Sequence, residues 1–139
     1  MRIAVIGTGV VGRTLAAAFA RLGHDVVVGT RDPQATAGRD DWADSDLSLV
    51  ALEEAGAGAD LVVNATSERA AVLCALSEGQ TLVDLPYPET ATAGAARDAG
   101  AAVVGGLDVL VAQGVASFEL WTGVPAPVEV MRAAVGLAR

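Results

Sequence analysis

The sequence contains no lysine, and all nine of its basic residues are arginine. No residue of this sequence can therefore act as a lysine base or form a lysine Schiff base. Cys74 is the only cysteine, which excludes an intrachain disulfide and a cysteine-based metal cluster. No group of His, Cys and Asp has the spacing of metal ligands, so we expect no metal site. Aromatic residues make up only 4% of the chain, so its core must consist mainly of Ala, Val and Leu.

Long apolar runs and an excess of positive charge are also missing. No apolar run approaches the ~20 residues needed to cross a bilayer. Arg2 is followed by only four apolar residues before the first glycine, which is not a signal-peptide pattern. The net charge of −8 would repel a phosphate backbone and argues against non-specific nucleic-acid binding. We therefore expect a single cytoplasmic domain over residues 1–139 that binds neither membranes nor nucleic acids.

The first twelve residues carry the clearest motif. An apolar run over Arg2–Ile6 stops at a G-x-G-x-x-G pattern, and a helical pattern over Arg13–Arg21 follows. Strand, tight glycine turn and helix N-terminus come in the order of a dinucleotide-binding turn, in which backbone N–H groups face phosphates. The alternative is a chance glycine-rich connection. We predict that the whole turn binds a nucleotide cofactor, namely Gly7, Thr8, Gly9, Val10, Val11 and Gly12.

The end of the second strand indicates which cofactor. Asp25–Val28 is the second apolar run, and Gly29, Thr30 and Arg31 follow it, where NAD-selective folds place an acidic residue. A hydroxyl and a guanidinium at this point suit a 2′-phosphate, so we predict NADP(H) rather than NAD(H). Alternatively, Arg31 is a solvated surface charge. Asp32 is expected to cap the helix or turn that begins at the next residue.

Apolar periodicity predicts the remaining elements. We expect strands at Asp60–Val63, Thr81–Asp84 and Ala101–Val104, and helices at Ser48–Ala55, Glu68–Leu76, Thr90–Ala99, Leu107–Leu120 and Val128–Leu137. The stretch Leu47–Ala57 also fits a short strand, although we favour the helix. Ser67 is the expected N-cap of the helix that ends before Gly79. Gly38–Asp46 is a polar, acidic loop in which Trp42 would cover an edge.

Strands that alternate with helices predict an α/β fold, a Rossmann-like doubly wound parallel sheet in a single domain. Ligands of such sheets bind beyond the carboxyl ends of the strands. Five segments should therefore converge on one crevice: Gly7–Gly12, Thr30–Arg31, Asn64–Ser67, Asp84–Tyr87 and Gly105–Asp108. His24 falls on the opposite edge and is read as a turn residue. Cys74 is interpreted as a core residue rather than a nucleophile.

Two families resemble the two halves of the chain. Residues 1–33 resemble the opening of NADPH-dependent reductases of the deazaflavin coenzyme, in the glycine turn and in the G-T-R after the second strand. Residues 60–133 resemble the nucleotide-binding C-terminal domain of shikimate dehydrogenases. The matching pieces are DLVVNATS at 60–67, LVDLPYPET at 82–90 and GLDVLVAQGVASFELWTG at 106–123, followed by PAPVEVMRAA.

The second resemblance implies roles for several residues. It implies that Asn64 and Thr66 border the ribose and nicotinamide of NADP(H), and that the Gly106 backbone lies near the nicotinamide amide. Ala65, between the first two, is counted with the cofactor-binding residues. Tyr87 matches the tyrosine of a loop that approaches the substrate. Gln113 matches a glutamine that hydrogen-bonds a hydroxyl of shikimate. Shikimate dehydrogenases also carry an N-terminal domain with a catalytic lysine–aspartate pair, and we expect both to be absent here.

A carbonyl substrate would also need a proton donor within ~2.6–3.2 Å. The candidates at the expected edge are Tyr87, Asp84 and Asp108. Tyr87 is preferred because a phenol is neutral at pH 7 and can still donate; alternatively, it only packs its loop. Asp84 could equally cap the next turn. Gln113 interrupts an apolar helix, so we expect a buried amide satisfied by a ligand or by neighbouring backbone.

Two functions are compatible with these residues. The first is a minimal NADP(H)-dependent oxidoreductase acting on a small molecule, with a second copy of the chain completing its substrate site. The second is a cofactor-binding module, or a sensor or vestigial domain, that depends on a separate polypeptide for substrate residues. We favour the oxidoreductase. A competent enzyme should turn over a substrate alone, whereas a module should bind NADPH and turn over nothing until its partner is added.

Overall fold

A computed structural model describes residues 1–137. Short runs rich in Val, Leu and Ile form the strands of one sheet: β1 Arg2–Ile6, β2 Asp25–Thr30, β3 Ser48–Ala51, β4 Leu61–Asn64, β5 Thr81–Asp84 and β6 Ala102–Val104. The helices are α1 Val10–Arg21, α2 Pro33–Ala37, α3 Leu52–Ala55, α4 Ala91–Asp98, α5 Gly106–Thr122 and α6 Val128–Ala134. In this part of the chain no helix is long and apolar enough to span a bilayer.

All strand pairs are parallel, and the strand order is β3-β2-β1-β4-β5-β6. The strand order reverses beside β1, where Ile3 pairs with Val26 of β2 on one side and with Leu61 of β4 on the other. Parallel strands joined by crossovers are the arrangement that the sequence predicts. The predicted α/β doubly wound sheet is therefore confirmed.

The core has two layers, one on each face of the sheet. Because side chains alternate along a strand, Ile3 and Val5 of β1 pack into one layer, whereas Ala4 and Ile6 pack into the other. Alanines of α4, Ala93 and Ala96, belong to the second layer. Small side chains let helices and strands approach closely, as expected for a core with few aromatic residues.

The predicted helix over Ser48–Ala55 is wrong in its first half. Ser48–Ala51 is instead the edge strand β3, paired with Val27–Thr30 of β2, and only the four residues of α3 are helical. Pairing with β2 decides the conformation of a short apolar run that fits either element. The shorter α6, which ends at Ala134, also corrects the predicted helix over Val128–Leu137.

The predicted helix over Glu68–Leu76 is also wrong, because side chains rather than helical hydrogen bonds satisfy this backbone. The Glu68 carboxylate accepts from the N–H groups of Ala70 and Ala71 at 2.8 and 3.2 Å. These two bonds hold the pKa of Glu68 below its usual value. From α4, the Thr92 hydroxyl accepts from the Leu73 N–H at 3.0 Å. The segment between β4 and β5 is therefore an irregular connection.

Cys74 lies in this connection and is a core residue, as predicted. It is 4% exposed, and burial raises the pKa of its thiol to about 11. Thiolate is the reactive form, so we expect native Cys74 to react with a water-soluble aromatic disulfide at pH 8 roughly 100-fold more slowly than an unfolded thiol. The release of chromophore with and without denaturant measures this ratio. Rapid native labelling would show that the connection opens in solution.

Candidate functional site

The glycine turn between β1 and α1 has three different steric requirements. Gly7 adopts φ +117°, a conformation that favours glycine. A Cβ at Gly12 would lie less than 3.0 Å from the carbonyl oxygen of Gly7. A Cβ at Gly9 would meet nothing within 4 Å, so this residue faces open space. Gly9 is also the N-cap of α1 and offers no side chain to the first-turn N–H groups, which leaves them free for an anion.

The end of β2 lies beside this turn. The Thr30 hydroxyl is buried and lies 2.8 Å from the Thr36 hydroxyl, which donates its proton to the carbonyl of Asp32. Thr30 must therefore donate to Thr36, so it shapes the strand end rather than presenting its hydroxyl to solvent. Arg31 is exposed, and its charge contributes to the lowered pKa of Glu68. Asp32 caps α2 by accepting from Ala35 N–H at 2.9 Å, as predicted.

A buried polar network fixes the ends of β4 and β5. Asn64 is 0% exposed and donates from Nδ2 to Asp84 Oδ1 at 2.7 Å. Its Oδ1 accepts from the backbone N–H of Thr66 at 3.1 Å and from the Thr66 hydroxyl at 2.8 Å. Ala65 donates to the carbonyl of Ile6 at 2.8 Å, which holds the loop against the glycine turn. Asp84 is 1% exposed, and its side chain fixes the position of Asn64 by accepting this hydrogen bond.

The loop after β5 meets the N-terminus of α5. A Cβ at Gly106 would lie less than 3.0 Å from the carbonyl oxygens of Leu85 and Pro86, so only glycine allows this approach. Tyr87 lies in the same loop and is 52% exposed. Asp108 Oδ1 forms an ion pair with Arg132 Nη1 at 3.0 Å, which ties α5 to α6.

Gln113 is exposed, so the expectation of a buried amide is wrong. The apolar spacing of α5 indicates burial, yet only Gly106 and Val111 of this helix are buried. Instead, α5 packs mainly against α6, and the pair leaves a set of large apolar side chains exposed. They are Leu110, Leu120, Trp121, Val124, Val128 and Val130. We call these residues the α5–α6 face.

Sequence reasoning missed the contribution of the loop over 38–46. Trp42 does not cover an edge but is 3% exposed in the core, where its indole N–H donates to the Thr8 carbonyl at 3.2 Å. Arg39 donates from Nη1 to the Thr8 hydroxyl at 2.9 Å. The loop therefore docks on the glycine turn. One aromatic residue within a run of acidic residues is the signal that could have indicated this anchor.

The five predicted segments lie at the carboxyl ends of the strands, while His24 precedes β2 at the other edge. A parallel sheet with a glycine turn at its first strand and a reversal of strand order beside it defines a Rossmann-type dinucleotide-binding domain. Comparison with known proteins identifies the family within this class. The model of the family "NADP oxidoreductase coenzyme F420-dependent" matches residues 2–86, more than half of the chain, and the chain belongs to this family.

The C-terminal part matches a second family model, the shikimate 5'-dehydrogenase C-terminal domain, over residues 106–135. Shikimate dehydrogenases (NADP(+)) are homologues of nearly the whole chain. The protein of Anaeromyxobacter dehalogenans strain 2CP-1 is 38% identical over 91% of this chain and 50% of its own length. That of Methanothrix thermoacetophila is 34% identical over 98% of this chain and 54% of its own length. The chain thus spans about half the length of these relatives.

Solved structures confirm the likeness. Shikimate 5-dehydrogenase of Thermus thermophilus, in complex with NADP(H) and shikimate, has a TM-score of 0.74 and 34% identity, over 95% of this chain and 53% of that one. Shikimate dehydrogenase of Mycobacterium tuberculosis has a TM-score of 0.67 and 27% identity, over 96% of this chain and 55% of that one. Both predicted resemblances, to the deazaflavin-coenzyme reductases and to the shikimate dehydrogenases, are therefore confirmed.

Proposed function

We propose that this chain binds NADP(H) and acts as a small oxidoreductase that transfers hydride to or from a carbonyl, imine or hydroxy compound. The observation that carries the proposal is the glycine turn. Gly9 leaves open space where a side chain would otherwise project, directly at the uncapped N-terminus of α1. Such a surface fits a pyrophosphate, because N–H groups and the helix dipole both favour an anion. The NADP(+) named for the relatives supports the same cofactor.

The residues around the turn fit the rest of that cofactor. Val10 and Val11 are exposed at the start of α1, and the exposed Arg31 offers a guanidinium for the 2′-phosphate. Asn64 and Thr66 form a rigid polar loop that suits a ribose and the nicotinamide. At Ala65 and Gly106 the small side chain or its absence would let the cofactor approach the backbone closely. When bound, the nicotinamide would supply the hydride chemistry, while the protein holds the acceptor and a proton.

Tyr87 is the candidate for that proton. Its side chain is half exposed, on the loop that touches Gly106, and it carries a hydroxyl that donates without being ionised. Gln113 lies about 10 Å along α5 from Gly106, as the helical rise per residue gives. It exposes an amide that both donates and accepts hydrogen bonds. We assign Tyr87 to proton donation and Gln113 to substrate orientation. Asp84 acts on this site only through Asn64.

We further propose that a second copy of the chain completes the substrate site. The relatives are about twice as long as this chain, and the family match over 106–135 covers the α5–α6 face. Gln113 lies on the helix that carries this face, so a partner docked there would enclose the amide. Burial of Trp121, which is 82% exposed, would supply much of the driving force.

Calorimetric titration with NADPH and with NADH, together with the native mass of the same sample, tests the proposal. We expect NADPH to bind at least tenfold more tightly than NADH. This ratio is on the order of what one charge-assisted hydrogen bond to the 2′-phosphate contributes to binding. Arg31→Gln should reduce this preference, because Arg31 is the guanidinium next to the end of β2. Arg21→Gln, at the far end of α1, is the matched control and should change neither affinity.

The native mass and the activity distinguish the two functions. A dimer that binds NADPH and reduces small ketones or imines would support the oxidoreductase. A monomer that binds NADPH, but turns over nothing until a second polypeptide is added, would indicate the module instead. Binding of neither nucleotide would overturn both.

A further inference from the structure

The guanidinium of Arg39 occupies an unexpected place on the glycine turn. Arg39 follows Gly38, the C-cap of α2, and reaches back across the chain to Thr8, the residue between the first two glycines. Its Nη1 donates to the Thr8 hydroxyl at 2.9 Å, and its Nη2 lies 3.4 Å from the Thr8 carbonyl. A positive charge is thus held at the side of the turn that faces β2.

Asp41 fixes the orientation of this guanidinium. It accepts from Arg39 Nε at 3.0 Å and from Nη2 at 2.7 Å, a fork that fills one edge of the group. Arg13 also pairs with Asp41, at 3.1 Å, so two guanidinium groups share one carboxylate and the cluster keeps a net positive charge. Asp40, Asp44 and Asp46 line a hollow beside α1. Arg13 and Asp41 line it too, but neither Arg39 nor any residue of the glycine turn does.

Two hydrogen-bond donors remain unused in this arrangement. Arginine has five N–H donors, and within residues 1–137 Arg39 uses four of them on Asp41 and Thr8, which leaves one on Nη1. Since the Thr8 hydroxyl accepts from Nη1, its own proton is available, and this hydroxyl donates to no group within residues 1–137. The two donor atoms, Thr8 Oγ1 and Arg39 Nη1, are 2.9 Å apart, close enough to bind one oxyanion.

We propose that Arg39 is a specificity-determining residue that binds the 2′-phosphate of NADP(H) together with Thr8. This inference rests on the proposed cofactor and extends it. The end of β2 receives the adenosine ribose in Rossmann sheets, and α2 connects that strand end directly to Arg39. Arg31 then approaches the phosphate from the strand, and Arg39 approaches it from the turn. A dianion between two guanidinium groups is bound by charge-assisted hydrogen bonds that NADH cannot form.

The test compares NADPH, NADH and 2′,5′-ADP binding by the whole chain and by Arg39→Gln. We expect Arg39→Gln to weaken NADPH and 2′,5′-ADP by roughly tenfold to hundredfold, on the scale of a charge-assisted hydrogen bond. NADH should change less than about twofold. Arg39→Lys keeps the charge but not the fork, so it should restore part of the loss. Arg21→Gln again serves as the control, and the near-ultraviolet dichroism of Trp42 reports whether the loop stays docked.

Each outcome has a distinct meaning. Equal weakening of NADPH and NADH, or no change in either, would overturn the role of Arg39 even if the wild-type chain binds NADPH. Failure of the wild-type chain to bind NADPH would instead overturn the proposed cofactor itself. If Arg39→Gln loses the Trp42 signal, Thr8→Val tests the same pair of donors, and it should selectively weaken 2′,5′-ADP. An unchanged affinity of Thr8→Val for 2′,5′-ADP would contradict the proposal.

Discussion

Gly12→Ala is expected to destabilise the protein by about 3 kcal/mol or more and to abolish NADPH binding. The added Cβ would lie less than 3.0 Å from the carbonyl oxygen of Gly7, a backbone atom that cannot rotate away. Overpacking typically costs ~1–3 kcal/mol, and a clash with backbone falls at or above the upper end. To avoid the clash, α1 would have to move away from the turn. Its first N–H groups would then no longer point together at the site proposed for the pyrophosphate. Urea unfolding gives the stability change, and calorimetry gives the affinity.

Gly9→Ala is the matched control for this prediction, because its Cβ would meet nothing within 4 Å in the protein. We expect an unfolding free energy within about 0.5 kcal/mol of the wild type. NADPH binding should still fall at least tenfold, since the methyl group would occupy the space proposed for the pyrophosphate. Equal losses of stability in both variants would contradict our assignment of one glycine to packing and the other to ligand approach.

Asn64→Ala is expected to cost about 3 kcal/mol of stability. The substitution removes the Nδ2 donor at 2.7 Å from Asp84 Oδ1 and leaves a carboxyl group that is 1% exposed without that partner. A buried acceptor that loses its donor costs ~1–3 kcal/mol, and more when it is charged. The same substitution also frees the Thr66 backbone and hydroxyl, which both donate to Asn64. Thermal and urea unfolding measure the loss.

Asp84→Asn is the control for the Asn64 network. A carboxamide at this position keeps an oxygen that can accept from Asn64, while it removes the charge. We therefore expect Asp84→Asn to lose less than half as much stability as Asn64→Ala. If the order is reversed, the charge of Asp84 matters more than its hydrogen bond, and Asp84 would need a second role at the site.

The sequence predicts those features that depend on neighbouring residues along the chain. The glycine turn, the cap that Asp32 forms on α2 and the sheet of apolar runs are all local patterns. By contrast, β3 forms because β2 is available to pair with it. The segment after β4 stays irregular because Thr92, from a distant helix, takes its hydrogen bonds. The spacing of apolar residues within one segment cannot indicate which distant segment will pair with it.

The candidate site also contains features that local sequence predicts and features that depend on distant residues. The positions of Gly7, Gly9 and Gly12 follow from spacing alone, and the structure gives each its steric reason. The roles of Arg39 and Trp42 depend on a loop that folds back on Thr8, which no local pattern specifies. For Gln113 the local pattern is present but misleading, because it predicts burial and the side chain is exposed. Its helix has the apolar composition of a buried element, but most of that surface is exposed in the isolated chain.

The central position of β1 has a consequence for how the protein is made. Ile3 pairs with Val26 early in the chain, but its other neighbour, Leu61, follows much later. At about 5–20 residues per second, a ribosome adds the roughly 35 residues from Val26 to Leu61 in about 2 to 7 s. During this interval β1 and β2 have a free edge where β4 will bind, and an unpaired apolar edge attracts other chains. We expect the nascent chain to depend on chaperones most strongly before β4 emerges from the ribosome.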